Sequence, residues 1–135
     1  IRDSYSSGNK DCHVILRGGS KPNYSKEDID QTSEILKNNN LVESIMVDMS
    51  HGNSSKQHKN QLIVCEDIAY QISSGESRIT GVMIESNIEE GNQSAKDLDN
   101  LVYGKSITDA CINWEDTKIC LNQLAEAVSA RENKA

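Results

Sequence analysis

Three short apolar runs, each closed by polar or glycine-rich residues, constrain the fold of this chain most. Cys12 to Leu16 ends at Arg17-Gly18-Gly19, Ile45-Met46-Val47 leads to Ser50-His51, and Ile79 to Ile84 leads to Glu85. Runs this short, rich in β-branched residues and bounded by turn formers, read as strands. Their centres near residues 14, 47 and 82 are roughly 33 to 35 positions apart, which suits repeated right-handed βα units joined by short connections. The expected architecture is parallel α/β.

The segments between the strands carry helical patterns. Ser25 with Asp28 forms a capping-box pattern, opening a helix with Ile29 and Leu36 on one face that ends near Asn38-Asn39-Asn40. A second helix places Leu62, Cys65, Ile68, Ala69 and Ile72 at helical spacing and stops at Gly75. Ser54-Ser55-Lys56 is read as the start of that helix, because GNSSK lacks the spacing of a phosphate-binding P-loop. A long polar loop should run from Glu85 to Lys105. A final helix is expected to start near Asn113, with Ile119, Cys120, Leu124, Ala127 and Val128 on its buried stripe and Trp114 packed at its start.

Composition sets outer limits. The 135 residues, 36% hydrophobic and 26% charged, suffice for one domain with a core. A net charge of -7 argues against a protein that tracks nucleic-acid phosphates. No apolar run approaches the roughly 20 residues of a membrane span. The four cysteines, at positions 12, 65, 111 and 120, form no CxxC pair, so they are expected to be reduced and mostly buried thiols of a cytoplasmic protein. Ile1-Arg2-Asp3 is too polar for a secretory signal. A chain that opens on Ile1 rather than Met is expected to begin in the middle of a larger protein.

In a barrel of parallel strands, residues at the carboxyl ends converge on one mouth, where such folds keep their chemistry. Arg17, His51 and Glu85 hold those positions, and Asp109 precedes the last helix. A full eightfold barrel needs about 250 residues, so three units supply less than half of one. A small open sheet is the alternative, at the cost of two exposed edges. Taken singly, His51 would be an ordinary surface histidine, Glu85 and Asp109 loop carboxylates or helix caps, and Arg17-Gly18-Gly19 a turn. His13 and His58 read as structural or exposed.

Five blocks taken together say more. CHVILRGG, KPNYS, MVDMSHGNSSKQ, GVMIESNIEEGNQ and YGKSITDACINWEDT resemble, in order, the carboxyl-terminal part of the class I 3-deoxy-D-arabino-heptulosonate-7-phosphate (DAHP) synthases. The resemblance implies that residues 1–135 are the carboxyl-terminal portion of a single catalytic domain. That domain would be a (β/α)8 TIM barrel, of which about three strands and three helices are present. The implied activity is a transferase reaction, an aldol-like condensation of phosphoenolpyruvate with erythrose 4-phosphate that opens the shikimate pathway to aromatic amino acids. A cytoplasmic homo-oligomer is implied, with neither nucleic acid nor membrane as partner. Feedback inhibition by an aromatic amino acid is implied too, at a site partly around Ile1 to Ser7.

Residue by residue, the resemblance makes His51, Glu85 and Asp109 metal ligands and puts His51 and Asp109 in contact with the reacting substrates. The family's remaining ligand, a cysteine, comes from a segment upstream of Ile1, and none of Cys12, Cys65, Cys111 or Cys120 occupies its motif. One imidazole, two carboxylates and a thiolate suit Mn²⁺, Fe²⁺, Co²⁺ or Zn²⁺ better than Mg²⁺ or Ca²⁺. Arg17 is the implied phosphate ligand for phosphoenolpyruvate, since guanidinium donates paired hydrogen bonds to phosphate oxygens. Gly18 and Gly19 are expected to leave room for backbone close to ligand. A Lys-Pro-Arg-Thr segment that would complete the substrate site also lies upstream. A different class stays open, in which the chain is a truncated, non-catalytic interaction or regulatory piece.

Overall fold

The computed structural model describes residues 5, 7–9, 11–96 and 98–134. Of the segment expected to contribute to an inhibitor site, residues 1–4 and 6 lie outside the described residues.

Strands β1 (Val14–Leu16), β2 (Ile45–Asp48) and β3 (Ile79–Met83) alternate with helices α1 (Lys26–Asn38) and α2 (Asn60–Ser73), and α3 (Trp114–Glu132) follows. The strands pair in parallel in the order β1-β2-β3, as the regular spacing of apolar runs predicts. β1 is shorter than the apolar run because pairing begins where Val14 meets Ile45. A right-handed crossover at each step puts α1 and α2 on one face of such a sheet.

Burial distinguishes the two faces. In the row Val14, Ile45, Ile79 and the row Leu16, Val47, Val82, the central residues Ile45 and Val47 are wholly buried and join the core with Ile29, Leu36, Val64, Ile68 and Ile72 of the helices. The intervening row, Ile15, Met46 and Gly81, points the other way, and Ile15 there is 51% exposed. The helix face of the sheet is therefore packed while its opposite face is open.

The helix ends follow their sequence signals. Ser25 Oγ accepts the Asp28 N–H at 3.2 Å while the Asp28 carboxylate accepts the Ser25 N–H at 3.1 Å, which completes the capping box. Asn113 caps α3 through a 2.8 Å bond from the Asp116 N–H. Two expectations are corrected. Ser54-Ser55-Lys56 is a succession of turns and α2 starts only at Asn60, because Ser55 and Lys56 take φ of 53° and 59°, outside the helical region. Ile119 is 57% exposed rather than buried. One position before Cys120 is about 100° round the helix, which takes Ile119 off the stripe formed by Cys120, Leu124, Ala127 and Val128.

Trp114 stands at the start of α3 as expected but is half-exposed. All four cysteines are free, yet only Cys65 and Cys120 are buried; Cys111 is half-buried and Cys12 exposed. No helix among the described residues is long and apolar enough to cross a membrane.

Candidate metal centre

The carboxyl ends of β1 and β2 are stitched together by one buried side chain. Asn53 donates to the Leu16 carbonyl at 3.0 Å and to the Asp48 carbonyl at 2.8 Å, and accepts the Asn23 N–H at 2.8 Å. The loops after β1 and β2 can then cross closely. A Cβ at Gly18 would lie 2.6 Å from backbone atoms of Gly52 and Asn53, and Gly18 also has φ +72°. Gly18 thus makes room for protein backbone rather than for ligand, whereas a Cβ at Gly19 would meet nothing within 4 Å.

This crossing sets His51 directly after β2, at a φ of 46° that is uncommon for a side-chain-bearing residue and is often found at functional sites. Its Nδ1 is 2.8 Å from Asp48 Oδ2, so Nε2 is the nitrogen left to face the cavity. Nε2 lies 3.6 Å from Glu85 Oε1 and 3.9 Å from Asp109 Oδ2. One ligand atom from each of His51, Glu85 and Asp109 falls within 4.8 Å of the other two.

Glu85 is held at both ends. Its carboxylate accepts Ser50 Oγ at 2.6 Å, its N–H donates to Gln61 Oε1 at 2.8 Å, and its carbonyl accepts Gln61 Nε2 at 3.0 Å and the Ile112 N–H at 3.0 Å. The last bond also anchors the stretch that carries Asp109, together with reciprocal backbone bonds between Gly91 and Cys111. The carboxylate of Asp109 remains 73% exposed, against 21% for Glu85 and 26% for His51. Cys111 turns its thiol to the Asp109 carbonyl at 3.6 Å. Burial pushes that thiol up, and the carboxylates of Glu85 and Asp109 add to the effect.

A cavity of about 470 Å³ spans these groups, lined by Arg17, His51, Glu85 and Asp109 along with Lys56 and His58. The four residues singled out in the sequence are thus brought to one mouth. Lys56 and His58 are not legible in the sequence as part of it, since their side chains reach the cavity only through the turns that precede α2. Asp48, Ser50 and Gln61 escape the sequence reading too. Arg17 is 61% exposed, with Nε 3.8 Å from the buried Asp48 Oδ2.

The donor set can be tested against a metal ion on its geometry. Metal bonds of about 2.0 to 2.2 Å to nitrogen and oxygen place neighbouring ligand atoms about 3 to 3.5 Å apart, close to the spacings at His51 Nε2. An imidazole whose second nitrogen is bonded to a carboxylate is one of the usual forms of a histidine ligand. One nitrogen and two carboxylates fit a borderline divalent ion and leave coordination positions open.

Fold and site together define a parallel α/β protein with a His/Glu/Asp cluster and an arginine at the carboxyl ends of its strands. The chain belongs to the DAHP synthetase I family, whose sequence profile matches residues 2–122. It is 56% identical over 126 residues to the Phe-sensitive phospho-2-dehydro-3-deoxyheptonate aldolase of Escherichia coli, a match covering 93% of this chain and 36% of that protein. The Trp-sensitive enzyme of Salmonella typhi is 50% identical over the same shares of the two chains. Among solved structures, the phospho-2-dehydro-3-deoxyheptonate aldolase of Francisella tularensis superposes with a TM-score of 0.87 at 48% identity, over 93% of this chain and 37% of that one. The chain spans little more than a third of the length of the relatives it matches.

Proposed function

We propose that these residues form the carboxyl-terminal portion of a DAHP synthase catalytic domain, and that in the complete barrel they take part in condensing phosphoenolpyruvate with erythrose 4-phosphate. The observation that carries the reading is the convergence of His51, Glu85, Asp109 and Arg17 on one cavity at the strand ends, in a chain of this family. The open face of the sheet supports the barrel, because parallel sheets are covered on both faces and Ile15 here is not.

In this reading His51 Nε2, Glu85 and Asp109 hold a divalent cation such as Mn²⁺, Fe²⁺, Co²⁺ or Zn²⁺. A bound cation of that kind supplies Lewis acidity toward an aldehyde oxygen and lowers the pKa of bound water. Arg17 receives the phosphate of phosphoenolpyruvate through paired N–H bonds, and the buried Asp48 behind it limits where the guanidinium can sit. Lys56 and His58 add polar donors on the same wall. Ser50 keeps the Glu85 carboxylate from turning away, by its 2.6 Å bond. His51 and Asp109 are read as the residues that meet the reacting substrate, with the exposed carboxylate of Asp109 accessible from the open side.

The complete enzyme is read as a cytoplasmic homo-oligomer, inhibited by an aromatic amino acid as the names of its Phe-sensitive and Trp-sensitive relatives suggest. The 73% exposure of Asp109 favours a companion reading for the isolated chain, that it is inactive until further strands cover the site. The test is a chimera in which residues 14–122 replace the corresponding stretch of the Escherichia coli relative. Condensation that is lost on chelation and restored by Mn²⁺ is the expected result. A folded chimera that makes no DAHP, or makes it undiminished after complete metal removal, would overturn the proposal.

A further inference from the structure

Asp48 lies behind His51, on the side of the ring away from Glu85 and Asp109, with its side chain only 4% exposed. Its two oxygens have different tasks. Oδ1 accepts the backbone N–H of Ser50 at 2.8 Å, which braces the turn, and Oδ2 stands 2.8 Å from His51 Nδ1. An ionised carboxylate only accepts hydrogen bonds, so the contact with Nδ1 places the ring proton on that nitrogen and leaves the lone pair on Nε2. Nε2 is the atom that faces Glu85 Oε1 and Asp109 Oδ2.

We propose that Asp48 is a positioning residue that fixes His51 as the Nδ1–H tautomer and sets its ring angle, so that Nε2 is ready for a divalent cation before any ion arrives. The inference rests on the reading of His51 as a metal ligand. A free imidazole divides between two tautomers and rotates, and a carboxylate partner removes both freedoms. Ser50 and Gln61 do the corresponding work for Glu85, one on its carboxylate and one on its backbone. Asp48 differs from them in that its effect is written into the protonation pattern of the ring itself.

Asp48→Asn separates this role from the bracing of the turn. The amide oxygen can still accept the Ser50 N–H, but its NH₂ group then faces Nδ1 and demands a lone pair there. That moves the ring proton to Nε2 and blocks the coordinating atom.

The experiment uses the chimera with the Escherichia coli relative and records long-range ¹⁵N–¹H correlations of the histidine rings in its metal-free form at about pH 8, above the ordinary histidine range. It then titrates Co²⁺ and follows the visible absorbance, for the wild type, Asp48→Asn and His51→Ala. Expected are an Nδ1–H signature for His51 in the wild type and an Nε2–H signature in Asp48→Asn. Co²⁺ affinity in Asp48→Asn should fall by about 10- to 100-fold with unchanged circular dichroism.

An Nε2–H signature in the wild type would overturn the proposal without any variant, which guards against an Asp48→Asn protein that does not fold. Unchanged tautomer and affinity in a folded Asp48→Asn protein would overturn it as well. Equal Co²⁺ affinity in the wild type and His51→Ala would sink the metal-ligand reading itself, and this inference with it.

Discussion

Gln61 and Glu85, 24 residues apart in sequence, are joined by a reciprocal pair of hydrogen bonds in which the Gln61 side-chain amide serves both the N–H and the carbonyl of Glu85. Gln61 is wholly buried in the first turn of α2. The pair ties the helix to the carboxyl end of β3 at the residue whose carboxylate enters the cavity. Gln61→Leu, which keeps the bulk but not the polar groups, should cost about 1 to 3 kcal/mol, chiefly by orphaning the Glu85 N–H. Urea unfolding measures it, with exposed Gln57→Leu as a control expected within about 0.5 kcal/mol of wild type.

His51→Ala in the chimera should abolish metal-dependent condensation and leave the fold intact, because the side chain is partly exposed and its loss opens no sealed cavity. Turnover with saturating Mn²⁺ and a thermal melt decide the matter together. Near-normal turnover would count against the ligand role, and a collapsed melting transition would point to structure instead.

Arg17→Lys should weaken phosphoenolpyruvate more than erythrose 4-phosphate. Lysine keeps the charge and loses the forked geometry, at about 1 to 3 kcal/mol for a charge-assisted contact. Separate Michaelis constants for the two substrates provide the readout, and equal rises in both would indicate general damage to the cavity.

Much of this arrangement is legible in the sequence, for identifiable reasons. β-Branched runs at regular spacing give the strands, and the Ser25/Asp28 pair gives the start of α1, because both signals are local. His51, Glu85 and Asp109 stand out through the motifs around them. Asp48 and Gln61 do not, since their meaning depends on partners brought near only by folding: a ring nitrogen across a turn for one, the backbone just past the end of β3 for the other. Gly18 is legible as a special backbone position, but that its neighbour is the backbone of Gly52 follows only from how two loops cross. Ile119 misleads because hydrophobicity alone does not fix which side of a helix is covered.

A pH dependence follows from the far end of the sheet. Arg78 donates from Nε and from its backbone N–H to Glu76 Oε1, at 2.8 and 2.9 Å, and the Glu76 side chain is only 8% exposed. The hydrogen bond from Arg78 holds that carboxyl below the usual glutamate range. A carboxyl lowered by folding binds fewer protons in the native state than in the unfolded one. It therefore stabilises above its unfolded value, about 4.3, and the contribution disappears as pH falls through the lower folded value. Glu76→Gln should lower stability at neutral pH and flatten the acid limb of the curve. Urea midpoints at neutral pH and between about pH 5 and 3 test this, and an unchanged acid limb would exclude Glu76 as its source.

Whether these residues form part of a synthase site, completed by strands from elsewhere, is decided by a coupled synthase assay on the purified chain. Its mass must confirm residues 1–135, and it is assayed alone and after mixing with the upstream segment of the Escherichia coli relative, each with a Mn²⁺ titration. Three ligands without their thiolate partner and without the strands that preorganise them should bind Mn²⁺ weakly and turn over nothing. Activity that appears only on mixing, with Mn²⁺ bound more tightly, is the predicted result; robust DAHP formation by the 135-residue chain alone would contradict it.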